Sequence, residues 1–246
     1  MKRVIVVQAR MTSTRLPGKV LMDVVGHPML VHQLNRLKQC KMVDEIIIAT
    51  TTNSSDDPIV KLAKHENIRY FRGDEQDVLS RYLGAADESG AEIVARITAD
   101  CPLIDHQVID RIINELIINM DECDYVSNTH PRTYPRGLDT EVFFLDTLMR
   151  FDRFAQSSAA REHVTLVAYT ERPKLFVLRN ITDSQDNSDL RWTVDTEEDL
   201  YVIRALFQAL DLGNNIVPYS EIIAYARSHP EISTLNMDVE TWEPSK

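Results

Sequence analysis

Short apolar runs alternate with longer segments of helical periodicity over the first half of the chain. Residues 4–7 form a continuous β-branched run, which is typical of a parallel strand covered on both faces. Pro28 suits a first helical turn, and apolar residues follow it at helical spacing at positions 30, 31, 34 and 37. The same alternation predicts further strands at residues 45–50, 68–71 and 92–97, and further helices that begin at Pro58 or are capped by Asp77 and Asp105.

This alternation predicts a Rossmann-like α/β fold, in which a mostly parallel sheet is flanked by helices. The pattern loosens from residue 125 to 179, where predicted strands at 141–145 and 174–179 flank a helical stretch at 158–169. We expect a small inserted antiparallel layer there. A strand at 192–195 and a helix capped by Thr196 and Asp199 then return to the main pattern. We interpret residues 1–246 as one domain with an insertion at about residues 128–180.

The net charge of −11 argues against a nucleic-acid partner, because binding a phosphate backbone needs a broad basic face. Any anion site must therefore be local. The three cysteines lack CxxC spacing, which excludes a disulfide framework and a zinc site of the usual kind. The apolar run after Lys2 and Arg3 is too short for a signal peptide or a membrane span. We expect a cytoplasmic protein with no membrane partner.

The loop at residues 8–19 carries the strongest chemical signal, because it directly follows the first predicted strand. Its small and hydroxyl residues allow backbone N–H groups to approach phosphate oxygens, and Arg10, Arg15 and Lys19 can neutralise a triphosphate. The loop matches neither GxGxxG nor GxxxxGK[ST], which disfavours a dinucleotide cofactor and a Walker-type ATPase. The loop thus predicts a nucleoside triphosphate site, with a solvated basic loop as the alternative.

Two carboxylates are candidate ligands for Mg²⁺. Asp100 follows the strand predicted at 92–97, and Asp195 lies just outside the helix capped by Thr196. Mg²⁺ usually binds one or two protein carboxylates together with phosphate oxygens, and both positions face the ligand edge of a parallel sheet. The alternatives are an Asx turn for Asp100 and a favourable charge at a helix N-terminus for Asp195.

The segments ARMTSTRLPGK (9–19), RITADCPL (96–103) and TVDTEEDL (193–200) closely resemble the cytidylyltransferases that make CMP-linked 3-deoxy-manno-octulosonate and acylneuraminates. The resemblance covers most of the chain. It is closest to the spore-coat polysaccharide branch, through RGDEQDVLSRY (72–82), PRGLDTEVF (135–143) and REHVT (161–165). Because the substrate-facing segments are of the spore-coat type, the sugar acid used by better-known relatives does not transfer to this chain.

The resemblance implies the activity and the site residues. CMP would be transferred from CTP to a 2-keto-3-deoxy sugar acid, with Asp100 and Asp195 sharing Mg²⁺ and with a homodimer as the assembly. The implied catalytic residues are Arg10, Lys19, Asp100 and Asp195. The implied nucleotide-binding residues are Gln8, Ala9, Arg10, Ser13, Arg15, Lys19, Arg72 and Asp100. The implied acceptor-binding residues, all in the insertion, are Arg136, Asp139, Glu141 and His163.

The implied reaction needs no covalent protein nucleophile. A sugar hydroxyl would attack the α-phosphate of CTP in line with departing pyrophosphate, so catalysis consists of positioning and charge neutralisation. Glu141 or His163 is a candidate general base. Cys101 is interpreted as a packing residue, since nothing near it in the sequence marks an activated thiolate.

Three other functions stay open at this point. One is a nucleotidyltransferase that uses another nucleotide or a sugar-phosphate acceptor. The second is a glycosyltransferase that consumes a nucleotide sugar, although the chain has no Asp-x-Asp triplet after a predicted strand. The third is a non-catalytic nucleotide sensor, which the presence of both Asp100 and Asp195 disfavours.

Overall fold

The computed structural model describes residues 1–240, in which a seven-stranded sheet is covered by helices. The strands are β1 (Arg3–Gln8), β2 (Asp23–Val24), β3 (His27–Pro28), β4 (Glu45–Thr51), β5 (Arg69–Gly73), β6 (Ile93–Thr98), β7 (Tyr125–Ser127), β8 (Glu141–Phe144) and β9 (Leu178–Asn180). The helices are α1 (Met29–Leu37), α2 (Asp57–His65), α3 (Val78–Ser89), α4 (His106–Ile118), α5 (Leu145–Phe154), α6 (Ser158–His163), α7 (Glu197–Ala209), α8 (Tyr219–Ser228) and α9 (Pro230–Ser233). Within these residues, none of the helices is long and apolar enough to cross a membrane.

Strand β1 lies inside the sheet, whose order is β5-β4-β1-β6-β8-β7-β9. It pairs in parallel with β4 on one side and β6 on the other. Because successive side chains of a strand point to opposite faces, Ile5 and Val7 enter one hydrophobic core while Val4 and Val6 enter the other. The predicted mostly parallel sheet flanked by helices is confirmed.

The strands of the insertion extend the main sheet. Strand β8 pairs antiparallel with both β6 and β7, and β9 pairs in parallel with β7. The antiparallel pairing that the sequence predicted is therefore present, but it does not build a separate layer. Strand β8 continues the sheet because the free edge of β6 offers backbone groups that need hydrogen-bond partners.

Three predicted elements differ from the structure. The helical stretch at 158–169 is interrupted at Val164, whose φ of 55° lies in the left-handed region, and continues as the π-helical turn Val167–Glu171. The strand predicted at 174–179 begins as the 3₁₀ turn Pro173–Leu175 and becomes β9 only at Leu178. The prediction of a strand at 192–195 is wrong, because its burial alternates as in a strand but none of the described strands forms a ladder with it.

The insertion is packed directly against the segment that precedes α7. The backbone N–H of Arg136 donates to the carbonyl of Leu190 at 2.9 Å, and the N–H of Trp192 donates to the carbonyl of Arg136 at 2.7 Å. Gly137 has a φ of 106°, and a Cβ at this position would lie 2.7 Å from the carbonyl carbon of Trp192. Only glycine therefore fits where these two segments meet.

Replacing Asp105 by alanine should destabilise the fold, because this buried carboxylate serves two helices. It caps α4 by accepting the N–H groups of Gln107 and Val108, at 2.8 and 3.2 Å, and accepts the N–H of Tyr219 at the start of α8, at 3.0 Å. We expect Asp105→Ala to lower the free energy of unfolding in urea by about 3 kcal/mol. The exposed helical residue Asp87 is the control, and Asp87→Ala should change that free energy by less than about 0.5 kcal/mol. Equal stability of the two variants would contradict the capping role.

Candidate active site

The loop after β1 is held in place by a buried carboxylate that the sequence analysis did not single out. Asp56 accepts the N–H of Met11 at 2.8 Å with one oxygen and the N–H of Thr51 at 3.1 Å with the other. At the far end of the loop, Gly18 has a φ of 74° and donates its N–H to the carbonyl of Met11 at 2.8 Å. The loop thereby closes on itself and directs the side chain of Lys19 inward.

Lys19 lies between the two carboxylates predicted to bind metal. Its Nζ is 3.1 Å from Asp100 Oδ2 and 2.8 Å from Asp195 Oδ1, and its side chain is 10% exposed. The N–H of Val194 donates to the carbonyl of Asp100 at 2.9 Å, which fixes the two aspartate segments to each other. Asp100 and Asp195, which are 81 and 176 positions away from Lys19 in the sequence, thus meet at its ammonium group.

The charges of this cluster stabilise one another. Burial alone would raise the pKa of the Asp100 carboxyl, but the Lys19 charge and the Thr98 hydroxyl outweigh burial and hold that pKa at about 2. Burial would likewise lower the pKa of Lys19, yet Asp100 and Asp195 raise it above its ordinary value. At neutral pH the cluster therefore contains an ammonium group and an ionised Asp100.

The two arginines of the loop point to different neighbours. Arg15 lies 3.0 Å from Asp195 Oδ2 and donates from its other terminal nitrogen to the carbonyl of Glu240 at 3.0 Å. Arg10 Nη1 lies 3.8 Å from Oε1 of Glu75, a residue of the loop after β5. Arg15 and Lys19 are therefore brought together at Asp195, whereas Arg10 lies on the side of the loop that faces β5.

The remaining nucleotide-binding residues predicted in this loop lie at the carboxyl end of β1. Gln8 accepts the N–H of Ala99 at its backbone carbonyl, at 3.0 Å, and Ala9 donates its N–H to the carbonyl of Ala49 at 3.1 Å. Ser13 is half-buried at the middle of the loop. The start of the loop is thus anchored to β4 and to the residue that follows β6.

Arg72 stabilises the loop after β4. It lies on β5 and donates to the carbonyls of Thr51 and Asn53, each at 2.7 Å, and to Asp57 at 2.8 Å. Its guanidinium is already engaged by protein groups, and its predicted proximity to cytidine stays a prediction. Glu75 connects the same region to the loop after β1, because it accepts from Asn53 at 2.6 Å and from the hydroxyl of Thr12.

Arg191 and Asp199 are site residues that the sequence analysis did not identify. Arg191 donates to Asp195 Oδ2 and to Asp199 Oδ1, each at 2.8 Å. Asp199 in turn accepts the N–H groups of Asp195 and Thr196, at 2.9 and 3.1 Å, which completes the predicted capping box of α7. The signal available in the sequence was the placement of Arg191 four and eight residues before the two aspartates.

A cavity of about 460 Å³ adjoins the Lys19 cluster. Thr98 belongs to both, since it lines the cavity and donates its hydroxyl to Asp100 Oδ1 at 2.6 Å. All four residues predicted to bind the acceptor line this cavity. Its lining consists of Arg96, Thr98, Thr129, His130, Arg132, Arg136, Asp139, Glu141, His163, Thr165 and Tyr169.

Ion pairs neutralise much of the charge in the cavity wall. Glu141 is buried, forms an ion pair with Arg96 and accepts the hydroxyl of Thr165 at 2.6 Å. Asp139 accepts hydrogen bonds from both terminal nitrogens of Arg132, and the bond from Nη2 to Oδ2 is 2.7 Å long. With its oxygens committed to these donors, Glu141 is poorly placed to remove a proton from a substrate.

Burial shifts the pKa values of His163 and Cys101 in opposite directions. Burial lowers the pKa of His163 below its ordinary 6.5, so that the imidazole is neutral at pH 7 and able to accept a proton. Burial and the neighbouring Asp100 raise the pKa of the Cys101 thiol well above its ordinary range. Because a thiol is a poor nucleophile, the structure supports the interpretation of Cys101 as a packing residue.

The donor set at Asp100 and Asp195 fits Mg²⁺ bound together with a nucleotide. Among residues 1–240, no group of three or more histidine, cysteine, aspartate or glutamate side chains is arranged to hold a metal ion. Two carboxylates nevertheless converge on the single cationic group of Lys19, and Mg²⁺ commonly takes one or two carboxylates with phosphate oxygens completing its shell.

Comparison with known proteins identifies the family. A sequence profile described as Cytidylyltransferase matches residues 4–221. The spore coat polysaccharide biosynthesis protein SpsF of Bacillus subtilis is 30% identical over 93% of this chain and 95% of its own length. A 3-deoxy-manno-octulosonate cytidylyltransferase of Geobacter sulfurreducens is 33% identical over 46% of this chain and 45% of its own.

Among solved structures, a cytidylyltransferase from Leptospira borgpetersenii is 31% identical, with a TM-score of 0.91 over 99% of this chain and 100% of the other. The resemblance seen in the loop after β1 and in the two aspartate segments is therefore confirmed over nearly the whole length. The chain belongs to the cytidylyltransferase family.

Proposed function

We propose that this protein transfers CMP from CTP to a hydroxyl group of a 2-keto-3-deoxy sugar acid and releases pyrophosphate. The observation that carries the proposal is the position of Thr98, which lines the acceptor cavity and contacts Asp100 at 2.6 Å. A triphosphate bound at the Lys19 cluster would thus present its α-phosphate to an acceptor in the cavity. The family membership supports the nucleotidyl transfer.

The cations of the first loop supply the nucleotide site. Lys19 and Arg15 now contact Asp195, and each would exchange a carboxylate oxygen for a phosphate oxygen when CTP binds. Arg10, near Glu75, would neutralise charge from the other side of the loop. Mg²⁺ held by Asp100 and Asp195 would supply polarisation of the α-phosphate.

The reaction forms one bond and breaks another at the α-phosphorus. The acceptor oxygen bonds to phosphorus while the bond to the pyrophosphate oxygen breaks, and Lys19 and Arg15 stabilise the negative charge that develops on pyrophosphate. The hydroxyl proton passes to a base. His163 is the better candidate than Glu141, because it is neutral at pH 7 and Glu141 is ion-paired with Arg96.

The cavity is suited to a polyhydroxylated acceptor that also carries a carboxylate. Its paired groups, Arg96 with Glu141 and Arg132 with Asp139, present both donors and acceptors to hydroxyl groups. Arg136 contributes a further guanidinium group to the lining. Guanidinium groups bind carboxylates through paired hydrogen bonds, which fits a sugar acid as the acceptor.

The insertion also supports the expected homodimer. Leu175, Val177 and Leu178, at and before the edge strand β9, are 44%, 55% and 37% exposed. Exposed apolar side chains along an open sheet edge favour pairing with a second chain. We therefore propose a homodimer, and the cytoplasm stays its expected location.

Incubation with Mg²⁺, each of the four nucleoside triphosphates and a panel of 2-keto-3-deoxy sugar acids tests the function. We expect pyrophosphate release with CTP only, and Asp100→Asn and Asp195→Asn should each reduce kcat by at least about a hundredfold. Glu197→Gln is the control, because Glu197 is exposed and only two residues from Asp195.

The outcomes separate the competing functions. Release with another nucleotide, or with a sugar phosphate alone, would replace the proposed substrates while keeping the reaction. CTP binding without release for any acceptor would place the acceptor outside this chemistry. Absence of nucleotide binding would contradict the proposal itself.

Breaking one ion pair of the cavity should weaken binding of the acceptor and leave binding of the nucleotide unchanged. Asp139→Asn removes the charge that holds Arg132, so we expect KM for the acceptor to rise about tenfold with KM for CTP unchanged. Asp124→Asn is the matched control, because Asp124 lies just before the insertion and pairs with Arg150 inside it, outside the cavity. An equal rise of both KM values in Asp139→Asn would exclude a role specific to the acceptor.

The pH dependence of the reaction tests His163 as the base. Because burial lowers its pKa below 6.5, the neutral form predominates at pH 7, and activity should fall only when the pH drops below that lowered pKa. We expect the acidic limb of kcat/KM for the acceptor to lie below pH 6.5 and to vanish in His163→Gln. An acidic limb that persists in the variant would assign proton removal to another group.

A further inference from the structure

The segment after α9 reaches the Lys19 cluster although it lies beyond the residues that match the family profile. That profile ends at residue 221, whereas Asn236 and Glu240 both contact residues of the site. The carbonyl of Glu240 accepts from Arg15 at 3.0 Å, and Asn236 approaches the cluster from the side of α7. Two residues of one short segment therefore contact the groups that surround Asp195.

Asn236 is buried, with 1% of its surface exposed. Its Nδ2 donates to Asp199 Oδ1 at 2.8 Å and to the carbonyl of Arg191 at 3.0 Å. Its Oδ1 is buried without a hydrogen-bond partner among the described residues. Burying an amide oxygen without a hydrogen-bond partner costs free energy of folding. The two bonds that Nδ2 donates are therefore the contacts by which Asn236 can contribute to the site.

Those two contacts act on the pair that holds Asp195. Arg191 binds both Asp199 and the side chain of Asp195, while Asp199 Oδ2 accepts the N–H of Asp195 at 2.9 Å. Asp195 is thus held at its backbone by Asp199 and at its carboxylate by Arg191. Asn236 joins these two supports, because it binds the carboxylate of one and the main chain of the other.

We propose that Asn236 is a positioning residue for Asp195, and that the C-terminal segment 234–240 is therefore a component of the metal and nucleotide site. This inference rests on the proposed function, in which Asp195 binds Mg²⁺ beside the triphosphate. Without Asn236, the Asp199 carboxylate and the Arg191 carbonyl would each lose a fixed donor, so the two groups that support Asp195 would themselves be held less firmly. Hydrogen bonds of this outer kind commonly set both the orientation and the affinity of a metal ligand.

The test is the affinity for Mn²⁺ in the presence of CTP, measured by electron paramagnetic resonance without acceptor and hence without turnover. We expect Asn236→Ala to raise the Kd for Mn²⁺ by about tenfold. Asn236→Ser, which keeps one small donor, should give an intermediate Kd and serves if the alanine variant does not fold. Asn214→Ala is the control, because Asn214 is an exposed amide that bonds within its own loop, to Asp211 at 2.8 Å.

A melting curve for each variant separates positioning from simple packing. Asn236 variants that lose thermal stability but bind Mn²⁺ as tightly as the wild-type protein, at temperatures where both are folded, would overturn the positioning role and leave the proposed function intact. Failure of the wild-type protein to bind Mn²⁺ with CTP would instead contradict the proposed function, and this inference with it. Weaker Mn²⁺ binding confined to the Asn236 variants supports the inference.

Discussion

The placement of one ammonium group between two carboxylates is the constraint on which the site depends. Charges removed from water are tolerated only when their partners are close and hydrogen-bonded. Lys19, at 10% exposure, meets this requirement only if the loop after β1, the end of β6 and the segment before α7 all reach the same point. The left-handed turn at Gly18 and the bond from Val194 to the carbonyl of Asp100 are two devices that bring them there.

The cluster is also balanced in charge, which suits the proposed binding of a highly charged nucleotide. Arg15, Lys19 and Arg191 face Asp100, Asp195 and Asp199. A triphosphate and a divalent cation that enter together add opposite charges, so the site can exchange its internal pairs for pairs with the ligands. The proposed acceptor cavity is similar, because its Arg96 and Arg132 are each paired with a carboxylate.

Local patterns in the sequence predicted the elements that local interactions determine. The β-branched run at 4–7 is a central strand, and Asp77, Asp105 and Thr196 cap the predicted helices, because hydrophobic periodicity and capping act over a few residues. Periodicity failed at 192–195, since alternating burial does not reveal whether a partner strand exists. The roles of Asp56 and Asn236 were not predictable, because they depend on residues distant in the sequence. Asp56 contacts Met11, 45 positions away, and Asn236 contacts residues 37 and 45 positions away.

The close approach of Gly137 to Trp192 joins the wall of the cavity to the segment that leads to Asp195, two regions that are far apart in the sequence. Residues 190–192 lead directly to Asp195, and their main chain is hydrogen-bonded to both the N–H and the carbonyl of Arg136, which lines the proposed acceptor cavity. A shift of the cavity wall would therefore move the main chain that carries Asp195, the proposed metal ligand. Chimeras that exchange the insertion between relatives should accordingly exchange the stretch ahead of α7 as well, because the proposed acceptor cavity and Asp195 are joined through this main chain.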